Sequence, residues 1–500
     1  MGTVPIYRSG AKAKWGLSLF IAGALNVGAF APLGFYPLAL LTLAWLVHAW
    51  RDATPKQCFW SGFAFGLGFF LAGVSWIYVS MHEFGDMPAP LAAFATLVLC
   101  AFLALYPAAA GWLQARVPAG DAIRACLLIP AAWTLAEWLR SWVLTGFPWL
   151  SLGYAAIGWP LQSYAPIGGV FAVSFMSMTL AGLLWLLAAR RPGAPYWLAL
   201  AVALVALGQA LHHVQWSTPA APPVKVALLQ GNIEQSLKFD PARYVHTLET
   251  YARLAEQSQA QLIIFPETAV PRFLDQVERD YLRRLDAVAQ RNGGDLLLGV
   301  PTRKSTEEFF NSVITLGVSP LQIYHKVHLV PFGEFVPPGF AWTLRMVNIP
   351  MSDFSRGSLG QRLLAVAGQR VAVNICYEDA FGEEIAAQLP DATLLVNVSN
   401  VAWFGDSLAP AQHLQIARAR AIETARMHLT ATNTGITAAI DRDGTVRGRL
   451  PQFAEGRLEA SAQGYVGATP YVLLRDWPIV AASLGVLVAA ALIAARRRSR

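Results

Sequence analysis

The sequence predicts two structural parts: a multi-pass α-helical membrane bundle of about eight spans, and one extracytoplasmic α/β domain. Hydrophobic residues make up 55% of the 500 residues and charged residues only 14%, against about 25% charged residues in a typical soluble domain. The mean hydropathy is +0.42. Long apolar segments fill residues 1–213, and short strand-like runs alternate with amphipathic helical ones beyond them. Intrinsic disorder is excluded, and an ordinary cytosolic enzyme is disfavoured.

Seven apolar segments precede residue 214. A bilayer core of about 30 Å requires about 20 apolar residues in a helix. Between residues 57 and 115 the only charged side chains are Glu83 and Asp86, which argues against buried helices of a large soluble core. We expect the first segment to be a retained anchor, because no small-residue cleavage site follows it. The predicted spans are about 13–31, 35–50, 58–80, 88–114, 122–139, 163–189 and 194–212.

The basic residues between the spans predict the orientation, since cytoplasmic loops carry an excess of Lys and Arg. Alternate connections are basic, which places the N-terminus in the cytoplasm and residue 213 outside. A last apolar run, about 476–495, precedes four arginines and predicts an eighth span that returns the C-terminus to the cytoplasm. The basic positions in the N-terminal segment and in the second, fourth and sixth loops are Arg8, Lys12, Lys14, Arg51, Lys56, Arg116, Arg124, Arg190 and Arg191.

The predicted domains are residues 1–213, with seven transmembrane helices; 214–223, a linker containing PAAPP; 224–468, the α/β domain; and 469–500, the eighth helix with a basic tail. The net charge of +7 does not indicate a nucleic-acid partner, because the basic residues flank apolar segments. Within the α/β domain we expect helices at 246–259, 275–291 and 410–426. We expect strands at 224–229, 261–265, 295–300, 371–376 and 392–398.

Cys376 is the only cysteine of the polar half, and four cysteines are too few for a disulfide scaffold. It ends the strand-like run RVAVNIC and precedes Tyr377, Glu378 and Asp379. A residue at the carboxyl end of a strand points into the crevice where α/β sheets bind ligands. A nucleophile is therefore one interpretation, and a buried structural cysteine is the other.

Two further residues could assist a nucleophilic thiol. Glu267 follows the strand-like run QLIIF in FPETAVP, and a carboxylate in an apolar pocket can act as a general base. Lys326 lies in the apolar string YHKVHLVPFGEFVPP, where a fixed ammonium could stabilise an oxyanion. Glu334 and Glu378 could hold Lys326 and the thiol region in register. The alternatives are that Glu267 is a helix cap or a surface carboxylate and that Lys326 is a solvated lysine. Glu334 and Glu378 would then form ordinary ion pairs.

Other polar residues receive no catalytic role. No His/Cys cluster has zinc spacing, so we expect no metal and no cofactor. Glu137 and Arg140 lie three residues apart in the fifth span; a functional site and a capping ion pair are both open. His413 and His428 are interpreted as structural.

The order Glu267 in FPETAVP, Lys326 in YHKVHLVPFGEFVP and Cys376 in NICYED resembles the Glu–Lys–Cys triad of the nitrilase (carbon–nitrogen hydrolase) superfamily. The eight spans and the position of the outer domain resemble the apolipoprotein N-acyltransferase family, over essentially the whole chain. Three strings support this second resemblance: LLQGNIEQSLKF, EWLRSWVLTGFPWL and NVSNVAWFGDS.

The resemblance implies an αββα sandwich for the outer domain. It implies that Cys376 is the nucleophile, Glu267 the general base and Lys326 the oxyanion stabiliser. Glu334, Glu378 and Tyr377 would support the site, and Trp403 would lie in a loop near the lipid entrance. Phe239 stands where some members have Trp, which keeps an aromatic contact and removes the indole N–H. The apolar segment 335–354, with Trp342 and Met346 as lipid-contact candidates, is predicted to be a mobile lid or, alternatively, a buried loop.

The implied reaction is phospholipid-dependent N-acylation, the last step of lipoprotein maturation in a bacterial inner membrane, with the catalytic domain in the periplasm. A fatty acyl chain would pass from a phospholipid, such as phosphatidylethanolamine, through a Cys376 thioester to the α-amine of a lipoprotein's S-diacylglyceryl-cysteine. Two alternatives stay open. One is a membrane-anchored amidase or nitrile hydrolase that uses water, and the other is a non-enzymatic transporter or scaffold.

Overall fold

The computed structural model describes residues 9–238, 240–305, 307–336 and 353–498. The chain divides into two compact units. One is helical and comprises Met1–Ile77, Pro90–Val214 and Asp476–Arg500; the other is an α/β unit that comprises Tyr78–Ala89 and Gln215–Arg475.

Apolar helices build the helical unit, as the hydropathy predicts. Five of the described helical stretches are long and apolar enough to cross a membrane: Ala89–Arg116, Asp121–Arg140, Pro160–Ala188, Ala194–Leu211 and Trp477–Arg496. A bent pair counts as a sixth, and two shorter apolar stretches are Trp15–Ala29 and Tyr36–Trp50. The number of membrane crossings stays a prediction. The α-helices up to residue 211 are α1 Ser9–Asn26, α2 Tyr36–Trp50, α3 Pro55–Gly73, α4 Trp76–Val79, α5 Ala89–Arg116, α6 Asp121–Ile123, α7 Ile129–Arg140, α8 Leu152–Ala155, α9 Ala165–Ala188 and α10 Ala194–Leu211.

The predicted continuous span at 58–80 is wrong in one respect. Helix α3 ends at Gly73, and the following helical stretch Trp76–Phe84 is bent by 50°. Val74 leaves the helical conformation, with φ −128° and ψ 19°, between a glycine and a serine. Residues Ser80–Phe84 continue as a π-helix. Glycine–serine neighbours and π-turns are recognised causes of sharp helix kinks, and hydropathy alone does not register them.

Small residues allow the helices α1 and α3 to pack closely. A Cβ atom on Gly23 would lie 1.9 Å from the Phe65 carbonyl oxygen, and one on Gly68 would lie 2.0 Å from the Phe20 carbonyl oxygen. Backbone-to-backbone packing through glycine is typical of helices in a membrane, where apolar burial alone does not drive association.

The α/β unit contains two six-stranded sheets in the described residues. The first has the order β13-β2-β3-β4-β5-β6 and the second the order β12-β11-β10-β9-β8-β7. Strands β2, β3 and β4 are parallel, as are β8, β9 and β10. The strands are β1 Thr218–Pro219, β2 Val224–Gln230, β3 Leu262–Ile264, β4 Asp295–Arg303, β5 Phe309–Gly317, β6 Ile323–His325, β7 Leu364–Val366, β8 Gln369–Ile375, β9 Leu394–Ser399, β10 His428–Thr432, β11 Ala438–Ile440, β12 Val446–Arg449, β13 Gly456–Ala462 and β14 Tyr465–Val466.

Helices cover the outer face of each sheet, so the layers run helix, sheet, sheet, helix. One apolar core lies between the sheets and joins Val226 and Ile264 to Val373 and Val396. A second core packs the first sheet against α11 and α12, and smaller cores pack the second sheet against α13 and α14. These helices are α11 Pro241–Glu256, α12 Arg279–Arg291, α13 Gly382–Ala386, α14 Ala409–Thr424 and α15 Pro470–Leu474, and α16 Trp477–Arg498 returns to the helical unit.

Burial on both faces explains why the central strands read as continuous apolar runs. All residues of β3 and β9 are buried, as expected for parallel strands covered on both sides. The five predicted strands and three predicted helices are present, with ends shifted by a few residues. The outer strands of the sheets and the buried inner strand β10 were not predicted.

Candidate active site

Three chain segments bring the predicted catalytic residues together in the α/β unit. Glu267 follows β3, Lys326 follows β6 and Cys376 follows β8. Strands β3 and β8 belong to opposite sheets, so the carboxyl end of each sheet supplies one group. Glu267 and Lys326 are buried, with 7% and 1% exposure, and Cys376 is partly exposed.

Lys326 lies between two carboxylates. Its Nζ atom is 3.3 Å from Glu267 Oε1 and 2.8 Å from Glu334 Oε1. Burial opposes the charge of this ammonium, but Glu334 and Glu267 outweigh burial and raise the pKa of Lys326. The lysine is therefore a permanent cation next to the Glu267 carboxylate.

Hydrogen bonds fix both oxygens of Glu267. Oε1 accepts a hydrogen bond from Asn311 Nδ2 at 2.7 Å, and Oε2 accepts one from the backbone N–H of Asn400 at 2.8 Å. Burial opposes ionisation, but the ammonium groups of Lys326 and Lys238 outweigh it and lower the pKa of Glu267. The carboxylate is ionised at neutral pH and oriented from three directions.

Cys376 occupies a strained turn at the end of β8. Its φ is +55°, in the left-handed region that a residue with a side chain rarely adopts. Its carbonyl oxygen accepts hydrogen bonds from Asn397 Nδ2 at 3.1 Å and His413 Nε2 at 3.2 Å. Burial and the Glu267 carboxylate raise the pKa of the thiol to about 12. The resting group is a protonated thiol that needs a base.

Glu378 joins the loop of Lys326 to the turn of Cys376. Its Oε1 accepts hydrogen bonds from the backbone N–H groups of Val327 at 2.6 Å and His328 at 3.0 Å. Its Oε2 accepts one from Ile375 N at 2.6 Å. Burial raises the pKa of Glu378 to about 7, and the backbone donors oppose that rise. This geometry is compatible with the predicted task of holding the two segments in register.

The structure places the remaining candidates at the edge of this cluster or outside the described residues. The ring of Tyr377 packs edge-on against Phe381, with ring centroids 5.1 Å apart. Trp403 lies in a 3₁₀-turn, its ring packs edge-on against Phe84, and its carbonyl oxygen accepts a 2.7 Å hydrogen bond from Ser80 Oγ. Its predicted lipid contact stays a prediction. Phe239, Trp342, Met346 and most of the predicted lid at 335–354 lie outside the described residues.

Sequence reasoning missed several residues that contact the cluster. Asn311 Nδ2 is also 2.8 Å from Glu334 Oε1, so it bridges two carboxylates. Asn400 and Lys238 contact Glu267, and both lie in strings that carry the family resemblance. Asn311 lies within a strand, and no local pattern marks it. His413, interpreted as structural, holds the Cys376 carbonyl, and His428 Nε2 lies 2.9 Å from Asp379 Oδ1.

The cluster provides the groups that acyl transfer through a thiol requires. It has a thiol, a carboxylate able to accept a proton, and a fixed ammonium that can stabilise an oxyanion. In the described part of the chain, no group of three or more His, Cys, Asp and Glu side chains could hold a metal ion.

Comparison with known proteins identifies the chain's class. Residues 225–471 match the carbon-nitrogen hydrolase family model, and residues 22–183 match the apolipoprotein N-acyltransferase N-terminal domain. An apolipoprotein N-acyltransferase from Nitrosomonas europaea is 46% identical over 96% of this chain and 97% of its own, and one from Ralstonia nicotianae is 45% identical over 96% and 93%. An amidase structure from Nesterenkonia sp. matches with 19% identity and a TM-score of 0.38, over 53% of this chain and 96% of the amidase.

The chain is an integral membrane protein with a catalytic unit of the carbon–nitrogen hydrolase superfamily. It belongs to the apolipoprotein N-acyltransferase family, which confirms the resemblance found in the sequence. Its enzymatic class is accordingly an acyltransferase.

Proposed function

We propose that this protein transfers a fatty acyl chain from a phospholipid, such as phosphatidylethanolamine, to the α-amine of a lipoprotein's N-terminal S-diacylglyceryl-cysteine. The observation that carries the proposal is the buried Glu267–Lys326 pair beside Cys376, in a chain that matches apolipoprotein N-acyltransferases over nearly its full length. A thiol nucleophile forms a thioester, which retains the acyl group until an amine arrives.

The first half-reaction acylates the enzyme. Glu267 takes the proton of the Cys376 thiol, and the sulfur attacks the ester carbonyl carbon of the phospholipid. The negative charge that develops on the carbonyl oxygen is stabilised by Lys326 and by a backbone N–H near Tyr377. The ester C–O bond breaks, Glu267 returns the proton to the leaving alkoxide, and a lysophospholipid departs.

The second half-reaction transfers the chain. The lipoprotein's amine attacks the thioester carbonyl while Glu267 accepts a proton from the nitrogen. The C–S bond breaks, the amide product leaves, and the proton restores the Cys376 thiol. The ionised state of Glu267 and the high pKa of the free thiol suit this cycle, because the base is ready and the thiol ionises only as it reacts.

The membrane helices provide the setting for this reaction. Both substrates carry acyl chains and reach the enzyme laterally through the bilayer, and an apolar approach keeps water from the thioester. We place the protein in the bacterial inner membrane with both termini in the cytoplasm and the α/β unit in the periplasm. No cofactor is required.

Intact mass spectrometry tests the proposal. Purified protein incubated with phosphatidylethanolamine should gain the mass of one fatty acyl group, and a diacylated peptide with a free N-terminal cysteine amine should discharge it. The Cys376→Ala variant should gain nothing. Cys100→Ala, which removes a buried thiol from α5, should be acylated like the wild type.

Two outcomes would contradict the proposal. Discharge by water at the same rate with or without the peptide would identify a hydrolase. Absence of an adduct with every lipid would leave Cys376 without a nucleophilic role, and the non-enzymatic alternative would then gain support.

A further inference from the structure

The string LLQGNIEQSLKF delivers a second lysine to the active site. It follows β2, and β2 lies parallel to β3, the strand that precedes Glu267. The carboxyl ends of parallel neighbours meet at one edge of a sheet. Lys238, near the end of this string, is 4% exposed, and its Nζ atom donates a 3.2 Å hydrogen bond to the backbone oxygen of Glu267.

The segment that carries Lys238 is anchored to the same polar network as Glu267. Gln235 Oε1 accepts a 2.7 Å hydrogen bond from Asn400 Nδ2, while the backbone N–H of Asn400 donates to Glu267 Oε2. The backbone N–H of Lys238 in turn donates to the Gln235 carbonyl at 3.3 Å. Lys238 is therefore held at the site through its backbone as well as through its side chain.

The charges around Glu267 explain why a second buried ammonium is tolerated. The carboxylates of Glu267 and Glu334 share the Lys326 ammonium, which therefore does not by itself balance the negative charge of Glu267. Lys238 neutralises it, and buried charges persist when they are paired. The other titratable groups that face this cluster are the Cys376 thiol, Glu378 and His413.

The Lys238 ammonium makes few hydrogen bonds to the described residues. An ammonium has three N–H donors, and among the described residues one acceptor, the Glu267 backbone oxygen, is bonded to it. Burial lowers the pKa of Lys238 to about 8, while Glu267 and Cys376 favour the charged form, so the group is still mainly cationic at neutral pH.

We propose that Lys238 is a positioning residue of the acyl-transfer site, which holds Glu267 by its backbone oxygen and supplies the second positive charge that favours the Cys376 thiolate. The inference rests on the proposed nucleophilic role of Cys376. It gives the QSLK part of the family-like string a physical task that is separate from those of Glu267, Lys326 and Cys376.

Alkylation of Cys376 by iodoacetamide provides a direct test with the full-length protein in detergent. The thiolate displaces iodide, so the rate at each pH reports the thiolate fraction, and mass spectrometry of the peptide containing Cys376 measures it. Lys238→Gln keeps an N–H donor and removes the charge, whereas Lys238→Arg keeps the charge. Lys225→Gln removes an exposed lysine from β2 and serves as the matched control.

An opposite charge within about 4–6 Å shifts a pKa by about one to three units. We therefore expect Lys238→Gln to be alkylated roughly tenfold more slowly than wild type near pH 7, where Lys238 is mainly charged, and the difference to shrink above about pH 8, where Lys238 loses its proton. Lys238→Arg and Lys225→Gln should be alkylated at the wild-type rate near pH 7. Acylation by phosphatidylethanolamine should fall at least tenfold in Lys238→Gln alone.

An unchanged pH profile in a folded Lys238→Gln variant would overturn the proposal, because the charge would then have no task. If thermal unfolding shows that Lys238→Gln does not fold, Lys238→Arg decides: a wild-type alkylation rate near pH 7 supports the proposal and a markedly slower one overturns it. Failure of the proposed function is distinct, since wild-type protein would then form no acyl adduct even where the alkylation series responds to Lys238.

Discussion

At the scale of single residues, the site combines a proton acceptor and a proton donor whose pKa values are pushed apart. Lys326 and Lys238 keep Glu267 ionised in spite of its burial, and the same burial keeps Cys376 protonated. In the proposed reaction, such a pair transfers its proton only as the sulfur attacks an electrophilic carbon. A thiol that is protonated at rest is also protected from oxidation, because the thiolate is the reactive form.

The raised pKa of Cys376 predicts a dependence of stability on alkaline pH. The folded state holds the thiol proton up to about pH 12, whereas the thiol's ordinary pKa is 9.0. Stability from this group is therefore complete below pH 9 and is lost as the pH rises from 9 towards 12, by at most about 1.4 kcal/mol per pH unit. Thermal unfolding in detergent between pH 8 and 11 should show a steeper fall of Tm for wild type than for Cys376→Ala.

The comparison between the two proteins isolates the thiol, because every other titrating group is common to both. Parallel Tm curves for wild type and Cys376→Ala over that pH range would contradict the assigned environment of Cys376.

At the scale of secondary-structure elements, strand β4 sets the position of Glu267, the proposed general base. Gly299 in β4 lies directly beneath the turn that carries Glu267. A Cβ atom at this position would be 2.2 Å from the Pro266 carbonyl oxygen and 2.8 Å from Thr268 N. Both are backbone atoms, so the turn itself would have to move. A glycine within a strand commonly marks such a close approach of another backbone.

Gly299→Ala is accordingly expected to impair both stability and catalysis. Overpacking typically costs about 1–3 kcal/mol, and a displacement of the base by about 1 Å lowers the rate by about 10²-fold. The measurements are Tm and the rate of acyl-enzyme formation. Gly120→Ala, at a position where an added Cβ meets nothing within 4 Å, should leave both unchanged. A wild-type acylation rate in Gly299→Ala would contradict this prediction, because it would show that the turn can move without displacing Glu267.

Predictability from sequence differed between kinds of element. Strands β2, β3, β4, β8 and β9 were predictable because they are buried on both faces and read as apolar runs. Strands at the sheet edges were not: β12 and β13 alternate between half-buried and exposed positions and contain glycine and charged residues. The broken helix after Gly73 was mispredicted because a window average of hydropathy does not register a local change of backbone dihedral angles.

At the scale of the whole molecule, the distribution of basic residues predicts the side of the membrane on which each part lies. Lys304 in the α/β unit is 79% exposed, and Lys56 is exposed in the first turn of α3. In a Cys376→Ala background, Lys304→Cys should react with a membrane-impermeant maleimide in intact spheroplasts, because the α/β unit is proposed to be periplasmic.

Lys56→Cys is the matched control for the topology. It replaces the same residue type at an exposed position that is predicted to be cytoplasmic, and it should be labelled only after lysis. Labelling of Lys304→Cys only after lysis would reverse the proposed orientation. Labelling of both variants in intact spheroplasts would contradict the number of spans predicted between the two residues.

The sequence by itself determined the two-part organisation, the covered central strands, the family and the three residue types proposed for catalysis. Each of these depends on local composition, on short-range periodicity or on strings of adjacent residues, which survive in the unfolded chain. The prediction of Glu267, Lys326 and Cys376 depended on such strings, and not on any knowledge of their distances.

Only the tertiary structure decided which side chains meet. Lys326 is 59 residues from Glu267 in the chain, and Asn400, whose N–H orients the same carboxylate, is 133 residues away. Asn311 has no marking that distinguishes it from other polar residues of the sequence, and the string that contains Lys238 does not show which atoms this lysine contacts. Their contacts follow from the stacking of two sheets with their carboxyl ends at one edge, and such long-range packing leaves no periodic trace in the residues that take part.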